Sequence, residues 1–372
     1  MAQIVHVCES LAAGVLTVLS SLINAQIEDG HEVCLIGSQR RPEIAPGWRL
    51  KLHNSLRYID LPMEREVRPV QDAMAGWKLR RLLVELRPDV VHLHSSKAGA
   101  LGRIATLGLG AAVVYQPHGL SYLREDVSAV KRTFYRLIER GLAWLPAEVV
   151  ACSPGERDAL RGVVPEARGR LVLNGVDLSV IRPATPGAAV PRPVVGTCGR
   201  IAPQKNPAFF AEVARRVGDA AEFRWIGDGD AQGRALLEAA GVRVLGWMSR
   251  DRVLEELGHL QVYLQTSAWE GMPVAVIEAM AARLPVVATD IVGNRDLIWG
   301  TRAGRLVDTP EQMAHALEEL IRDPARRAAY GREAQRVAHE RYSERVMVDA
   351  YYELYGLDRH PPASLASRRA RA

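Results

Sequence analysis

The chain has 372 residues, of which 48% are hydrophobic and 24% are charged, and its formal net charge is +5. This composition is that of a globular protein, and the length predicts two domains. The small basic excess favours anionic partners such as nucleotides or lipid diphosphates. Because its lysines and arginines are scattered among nearly as many acids, the sequence argues against a nucleic-acid partner.

The four cysteines lie in or beside apolar, strand-like runs and show no paired spacing: Cys8, Cys34, Cys152 and Cys198. We therefore expect reduced, buried thiols rather than a disulfide or zinc framework. No basic segment followed by an apolar one begins the chain, and no apolar run approaches the roughly 18 residues that cross a bilayer. The sequence thus predicts a protein that is neither secreted nor membrane-spanning.

The N-terminal half alternates strand-like and helix-like segments. Strands are expected at 3–8, 31–37, 57–61, 89–94, 112–116 and 148–152, and helices at 15–28, 73–86 and 130–145. The first turn contains Gly14 but lacks the G-x-G-x-x-G pattern of dinucleotide-binding domains. A nicotinamide or flavin site is therefore not expected there.

A hydroxyl-capped helix start follows the strand at 89–94 and carries Lys97 and Arg103. These cations either seat a phosphate of an acceptor or are solvated charges on an ordinary helix. His92 and His94 share one face of the preceding strand, but no third ligand is apparent nearby in the sequence, so we predict no metal site.

His118 lies between a proline and a glycine at the end of the strand at 112–116. Open α/β sheets bind ligands at that edge, although the same histidine could simply cap a turn. The helix at 130–145 interleaves Lys and Arg with apolar side chains. This pattern suits an ordinary domain helix and also suits contact with an anionic membrane surface.

The second half repeats the alternation after a linker rich in Pro and Ala, with strands expected at 194–198, 223–226, 242–245, 262–265, 286–289 and 304–307. Alternating strands and helices predict an α/β fold of two Rossmann-like, doubly wound parallel-sheet domains facing a cleft. The predicted divisions are an N-terminal domain at 1–178, a linker at 179–193, a C-terminal domain at 194–341, a final helix at 342–357 and a disordered basic tail at 358–372.

The candidate chemistry lies on two loops of the second domain. Arg200 and Lys205 follow its first strand, where the charge of a diphosphate would be neutralised. Glu270 precedes a helix that Pro273 is expected to begin, and the helix N-terminus suits anions or sugar oxygens. Glu278 interrupts the apolar stripe of that helix, so its carboxylate needs either ligand hydroxyls or an internal arginine as a partner.

These features together resemble the family 4 retaining glycosyltransferases of the GT-B fold. The resemblance covers residues 3 to about 356 and rests on the following segments: Ser95 to Gly99, Pro117 to Gly119, Asn174 to Asp177, Arg200 with Lys205, Gly227 to Gly229, and Glu270 with Glu278. It implies that Arg200 and Lys205 bind the donor diphosphate, Glu278 the ribose hydroxyls and Glu270 the donor sugar. It also implies that the last helix returns to the first domain.

Further donor contacts follow from the same resemblance. His118 would touch the sugar from the first domain, and the remaining donor-binding positions would be Gly14, Gly199, Gly227, Asp228, Gly271, Met272, Pro273 and Val274. The family often has two glycines in its first loop where this chain has Ala13 and Gly14. It commonly has a proline at the position of Asp230. The acceptor-side candidates remain Lys97 and Arg103.

The predicted reaction moves a sugar, with retention, from a nucleotide diphosphate sugar, by default UDP-linked, to a lipid-linked acceptor such as a polyprenyl-diphosphate glycan. The setting would be bacterial surface polysaccharide synthesis, either free in the cytoplasm or peripherally at the inner face of the membrane. Because two fixed cations and a helix N-terminus could stabilise the departing diphosphate, we expect no metal and no other cofactor. The alternatives are a nucleotide-sugar epimerase of the same architecture and a non-catalytic GT-B binding subunit.

Overall fold

The computed structural model describes residues 1–11, 13–40, 44, 47–64, 66–186 and 190–359. Its strands form two separate sheets, one in each half of the chain, and every strand pairing within them is parallel. Parallel sheets need crossover connections, and here those connections carry the helices that cover the sheets.

The N-terminal sheet has seven strands in the order β3-β2-β1-β4-β5-β6-β7. They are β1 (Gln3–Cys8), β2 (Glu32–Gly37), β3 (Arg57–Asp60), β4 (Val90–His94), β5 (Ala112–Gln116), β6 (Glu148–Ala151) and β7 (Gly169–Leu171). Its helices are α1 (Ala13–Glu28), α2 (Pro69–Leu86), α3 (Ser96–Ala105), α4 (Ala129–Leu142) and α5 (Pro154–Leu160). The strand order reverses between β1 and β4, where open α/β sheets form their ligand crevice.

The C-terminal sheet has six strands in the order β10-β9-β8-β11-β12-β13. They are β8 (Val194–Cys198), β9 (Glu222–Ile226), β10 (Arg243–Val244), β11 (Val262–Gln265), β12 (Val286–Thr289) and β13 (Gly304–Val307). Its helices are α6 (Pro207–Val217), α7 (Ala231–Ala239), α8 (Arg250–Gly258), α9 (Val274–Ala281), α10 (Val292–Ile298), α11 (Pro310–Arg322) and α12 (Pro324–Arg341). Here the order reverses between β8 and β11.

The predicted fold class, two doubly wound parallel α/β domains, is confirmed. One apolar cluster continues from the N-terminal sheet into the C-terminal domain, because Val90 and Val114 belong to the same packed set as Ile277 and Met280. The last helix, α13 (Glu344–Tyr355), packs on α1, and Ser21 Oγ donates a 2.7 Å hydrogen bond to its Glu344. The two domains therefore share buried apolar surface.

Several local expectations differ from the structure. The Ser95 hydroxyl does not cap α3: the residue has a φ of 78°, and its Oγ is buried without a hydrogen-bond partner among the described residues. Pro273 is the N-cap of α9 rather than its first residue. Arg359, assigned to the basic tail, ion-pairs with Asp29 and Asp349. The rest of that predicted tail, 360–372, and linker residues 187–189 lie outside the described residues.

No disulfide links the cysteines among the described residues; three of the thiols are buried and that of Cys198 is half-buried. Burial raises the pKa of Cys34 to about 11 and that of Cys198 to about 12, so both thiols stay protonated near neutral pH. Among the described residues, none of the helices is both long and apolar enough to span a bilayer.

Candidate functional site

The two strands at the reversal point of the C-terminal sheet carry the loops that hold the predicted charged residues. The loop after β8 bears Arg200 and Lys205, and the loop after β11 leads through Glu270 into α9. Lys205 Nζ lies 2.6 Å from Glu270 Oε1, and both side chains are largely buried. The structure thus brings together two residues that are 65 positions apart in the sequence.

Glu270 is held by four side-chain donors. Besides Lys205, its Oε1 accepts hydrogen bonds from Ser267 Oγ at 2.8 Å and Gln265 Nε2 at 3.3 Å, and its Oε2 accepts one from Gln204 Nε2 at 3.1 Å. Such a set fixes the position of the carboxylate, because both of its oxygens accept hydrogen bonds from side chains held in the same two loops. Glu270 therefore offers a preorganised acceptor at the mouth of the α9 N-terminus.

Backbone geometry holds the two loops against each other. Asn206 has a φ of 49°, and its side chain accepts from Phe209 N and so caps α6. Ala268 N donates to Gln204 O at 2.8 Å, and Thr266 Oγ1 donates to Lys205 O at 2.8 Å. These bonds fix the position of the backbone that carries Lys205.

Glu278 is 3% exposed and ion-pairs with Arg250, the first residue of α8. Of the two partners that the sequence allows for this carboxylate, the internal arginine is therefore present in the structure. Lys51 of the N-terminal domain lies near this ion pair. Burial is the main cause that lowers the pKa of Lys51, and the positive charge of Arg250 is the next. Lys51 and Arg250 thus bring cations from both domains to the side of α9 that carries Glu278.

The glycine turn after β9 serves backbone packing. A Cβ on Gly227 would lie 2.2 Å from Gly199 O, and one on Gly229 would lie 2.2 Å from Ile201 O. Asp228 ion-pairs with Arg234 at 2.7 Å, and Asp230 caps α7 by accepting from Gly233 N. The glycines are therefore needed for close contact between the two loops, a reason that the sequence does not reveal.

The N-terminal domain faces this edge at two points. A Cβ on Gly14 would lie 3.3 Å from Val274 Cγ2 at the start of α9, and one on Gly271 would lie 3.2 Å from Gly119 Cα. Met272 is buried, and its carbonyl accepts from Asn174 Nδ2 at 3.2 Å. The two domains are therefore in direct contact beside the N-terminus of α9, at positions predicted to bind the donor.

His118 is held in an uncommon conformation for a residue with a side chain, with a φ of 54°. The next amide, Gly119 N, donates to Glu156 Oε1 at 3.0 Å, and Glu156 Oε2 accepts from Cys152 N at 2.7 Å. This buried carboxylate on α5 fixes the turn that presents His118. The strain of a left-handed residue at such a turn is typical of functional positions.

Behind His118 lies a cluster of three fully buried histidines, His6 on β1 and His92 and His94 on β4. The expectation that His92 and His94 lack a third neighbour is wrong, because His6 is the register partner of His92 on the adjacent strand. One ring nitrogen from each of the three lies within 4.8 Å of the others. Burial lowers the pKa of His6 to about 4 and that of His118 to about 3, so both are neutral at pH 7.

Neutral imidazoles in such a cluster could hold a metal ion. The group contains only histidines, however, so a divalent ion would bring two uncompensated charges into the core. His6 Nδ1 and His94 Nε2 already share a hydrogen bond of 3.0 Å. The arrangement therefore fits a hydrogen-bonded network better than a metal centre.

The two acceptor-side candidates have internal partners. Arg103 is 1% exposed, ion-pairs with Glu139 at 2.8 Å and lies over the Tyr115 ring at 4.3 Å. This corrects the expectation for Arg103, which packs inside the N-terminal domain and has no surface to offer an acceptor. Lys97 Nζ lies 2.6 Å from Asp72, and its contact with an acceptor stays a prediction.

Sequence reasoning missed the residues that surround the charged groups, because their roles appear only once the strands are ordered: Gln26, Glu156, Gln204, Arg250, Gln265 and Ser267. Of these, Gln265 and Ser267 could have been suspected, since they lie 5 and 3 residues before Glu270, at the end of β11 and in the loop after it.

Solved structures share the arrangement of the two domains. Sucrose-phosphate synthase from Thermosynechococcus elongatus superposes with a TM-score of 0.81 over 96% of this chain and 98% of that one, at 17% identity. The Anabaena protein HepE, in complex with UDP and glucose, gives 0.80 over 96% and 100%, also at 17% identity. At such identities the likeness concerns the fold, which is GT-B.

Family models and sequence relatives identify the family to which the chain belongs. The model described as "Glycosyl transferase 4-like domain" matches residues 13–175, and that described as "Glycosyl transferases group 1" matches 192–323. The chain is 28% identical to the UDP-Gal:alpha-D-GlcNAc-diphosphoundecaprenol alpha-1,3-galactosyltransferase of Escherichia coli, over 69% of this chain and 72% of that protein. It belongs to the family 4 glycosyltransferases of the GT-B fold.

Proposed function

We propose that this protein transfers a sugar, with retention, from a nucleotide diphosphate sugar to a hydroxyl of a lipid-linked glycan during bacterial surface polysaccharide synthesis. The observation that carries the proposal is the Lys205–Glu270 pair at the reversal point of the C-terminal sheet, 2.6 Å apart and facing the α9 N-terminus. This edge supplies a cation, a carboxylate and free helix N–H groups together.

Charge explains how such a site would act. Breaking a sugar–phosphate bond builds negative charge on the departing diphosphate and positive charge on the sugar ring. Arg200, Lys205 and the first turn of α9 would stabilise the diphosphate, and Glu270 would hold sugar hydroxyls. We propose that these groups suffice without a metal or another cofactor.

Retention is proposed to follow from attack on the same face that the diphosphate leaves, with a leaving-group oxygen taking the acceptor proton. Glu270 Oε1 accepts from three donors and Oε2 from one, which leaves Oε2 able to accept a hydroxyl hydrogen bond while the carboxylate as a whole is held in place. His118 would contact the sugar from the opposite domain. Glu278 would accept the ribose hydroxyls after rearrangement of its pair with Arg250.

The Escherichia coli relative supports a choice of substrates. Its name gives a UDP-linked donor and a diphosphoundecaprenol-linked acceptor, and the match covers 69% of this chain. We therefore propose UDP as the donor nucleotide and a polyprenyl-diphosphate glycan as the acceptor. Such an acceptor would place the protein at the cytoplasmic face of the cell membrane.

The outward face of α4 supports contact with that membrane. Its exposed apolar side chains recur at helical spacing: Val130 at 81%, Phe134 at 49%, Leu137 at 62% and, just beyond the helix, Trp144 at 75% exposure. Lys131, Arg132, Arg136 and Arg140 lie among them in the sequence. An exposed apolar stripe flanked by cations is the pattern of helices that lie on anionic bilayers.

Leu137→Ser is expected to weaken binding to vesicles of phosphatidylglycerol and phosphatidylethanolamine by about tenfold, because burying one such side chain contributes roughly 1.5 kcal/mol or more. Sedimentation with the vesicles measures the effect. Leu236→Ser, at a comparably exposed leucine of the C-terminal domain, serves as the control. Equal binding by both variants, or no binding by the unaltered protein, would contradict the membrane contact.

The proposed function is tested by incubating the protein with UDP-sugars and a synthetic GlcNAc-diphosphopolyprenol. Product mass reports transfer, and NMR coupling reports the anomeric configuration of the new bond. An α-linked product from an α-linked donor supports the proposal, and a β-linked product overturns retention. Conversion of the donor with no acceptor present would indicate an epimerase, and donor binding with neither reaction would indicate a binding subunit.

A further inference from the structure

A continuous chain of hydrogen bonds runs from His118, beside the contact between Gly119 and Gly271 of the other domain, into the core of the N-terminal domain. His118 Nε2 lies 3.0 Å from His94 Nδ1, and His94 Nε2 lies 3.0 Å from His6 Nδ1. His6 Nε2 then lies 2.8 Å from the side-chain oxygen of Gln26. His94 and His6 therefore each use one ring nitrogen toward each of their two neighbours. His118 uses Nε2 in this hydrogen-bond chain, which leaves its Nδ1 for another partner.

The rings are arranged for in-line hydrogen bonds. His94 and His118 are inclined by 16° with centroids 5.3 Å apart, and His6 and His94 by 26° at 5.2 Å. His92 is outside this hydrogen-bond chain, since its ring is tilted by 35° against that of His94, with centroids 3.9 Å apart, and its Nδ1 lies 2.7 Å from the Tyr355 hydroxyl. A planar run of alternating donors and acceptors allows only one direction of donation at a time.

Gln26 sets that direction. Its amide oxygen can only accept, so His6 Nε2 carries the proton and His6 Nδ1 accepts. His94 Nε2 must then donate to His6, which leaves His94 Nδ1 to accept from His118 Nε2. Every imidazole in this scheme is neutral. Burial is the main cause of the lowered pKa of each of these three histidines, in agreement with neutral rings.

We propose that Gln26, His6 and His94 act as positioning residues that hold His118 in its Nε2–H tautomer, so that His118 Nδ1 accepts a hydrogen bond from a hydroxyl of the bound sugar. The contact with sugar rests on the function proposed above, whereas the tautomer does not. With this tautomer fixed before the donor arrives, His118 would select a hydroxyl at that position over a group that can only accept.

The experiment is long-range ¹H–¹⁵N correlation NMR of the full chain labelled with ¹⁵N-histidine, with the His118 signals assigned from His118→Gln. We expect a protonated Nε2 and a bare Nδ1 in the unaltered protein. The Nδ1–H tautomer, an imidazolium or a roughly equal mixture would overturn the proposal. So would one equivalent of bound metal in elemental analysis, because an ion would replace the proton between His6 and His94.

Two variants test whether the hydrogen-bond chain, rather than the packing around the histidines, sets the tautomer of His118. Gln26→Leu removes the group that sets the direction and is expected to raise the Nδ1–H fraction of His118 to about half. His92→Gln alters an equally buried neighbour outside the chain and should leave His118 unchanged. Equal effects of both variants would contradict the proposed route. If Gln26→Leu does not fold, the spectrum of the unaltered protein still decides the tautomer.

A titration with UDP-sugar distinguishes the tautomer from the sugar contact. A shift of the His118 Nδ1 signal that UDP alone does not produce supports the contact. The expected tautomer with no response to any nucleotide sugar would refute the sugar contact while leaving the role of the chain in place. If His118 has the other tautomer but transfer activity is normal, the proposed role of the hydrogen-bond chain is refuted and the glycosyltransferase function is not.

Discussion

Lys205→Ala is expected to lower the turnover number by about 10²-fold or more, the scale for losing one group that stabilises transition-state charge. Lys205 Nζ lies 2.6 Å from Glu270 Oε1, so the substitution also removes one of the four donors that fix this carboxylate. Steady-state transfer kinetics at saturating donor measure the effect. Because the charge would act mainly on the departing diphosphate, KM for the donor should change less than kcat.

Arg215→Ala is the matched control, since it removes a half-exposed cation from nearby α6 that pairs with Glu212 on the surface of the same helix. Its turnover should remain within about twofold of the unaltered protein, as expected for a surface ion pair. Near-normal turnover of Lys205→Ala would contradict the assignment of Lys205 to the leaving group.

Glu278→Ala is expected to weaken the binding of the donor nucleotide by about 1.5 to 3 kcal/mol, the range for hydrogen bonds to a charged group. This corresponds to roughly a 10- to 150-fold higher Kd, measured by calorimetry with the nucleoside diphosphate. The same substitution leaves Arg250 without its buried carboxylate, so thermal stability should also fall.

Arg250→Met distinguishes the two roles of Glu278. If the carboxylate binds ribose, this variant loses the ion pair but keeps the nucleotide acceptor, and its affinity should fall less than that of Glu278→Ala. Arg252→Ala, an exposed arginine on the same helix, is the neutral control. Unchanged affinity of Glu278→Ala together with a lower melting temperature would show that Glu278 serves only the ion pair with Arg250.

The order of strands and helices could be predicted from the sequence because each apolar run and each helical stripe is a local pattern. The strand at 3–8 and the strand at 304–307 agree with β1 and β13 at both ends. The loops with Lys205 and Glu270 could be placed at one sheet edge for the same reason, since both follow parallel strands. The contact between Lys205 and Glu270 also depends on β8 and β11 being neighbours in the sheet, and no local sequence pattern predicts that pairing.

What the sequence could not supply is which side chains meet across neighbouring strands. His6 and His92 are 86 residues apart, yet they are register partners, because β1 and β4 are adjacent at the reversal point. Arg103 shows the opposite case: a cation that suits a phosphate site by spacing is buried against Glu139 on α4. Gly227 gives a third case, since its need for close packing against Gly199 appears only in three dimensions.

The most direct test of a nucleotide-sugar site in this cleft is the melting temperature of the unaltered protein with UDP, GDP, ADP and the matching monophosphates. A ligand at about a hundred times its Kd adds roughly 2.7 kcal/mol of stability, which is visible as a clear shift. We predict a shift with UDP that exceeds the shifts with GDP, ADP and UMP, because Arg200 and Lys205 would bind the second phosphate. No shift with any nucleotide diphosphate would contradict the donor site.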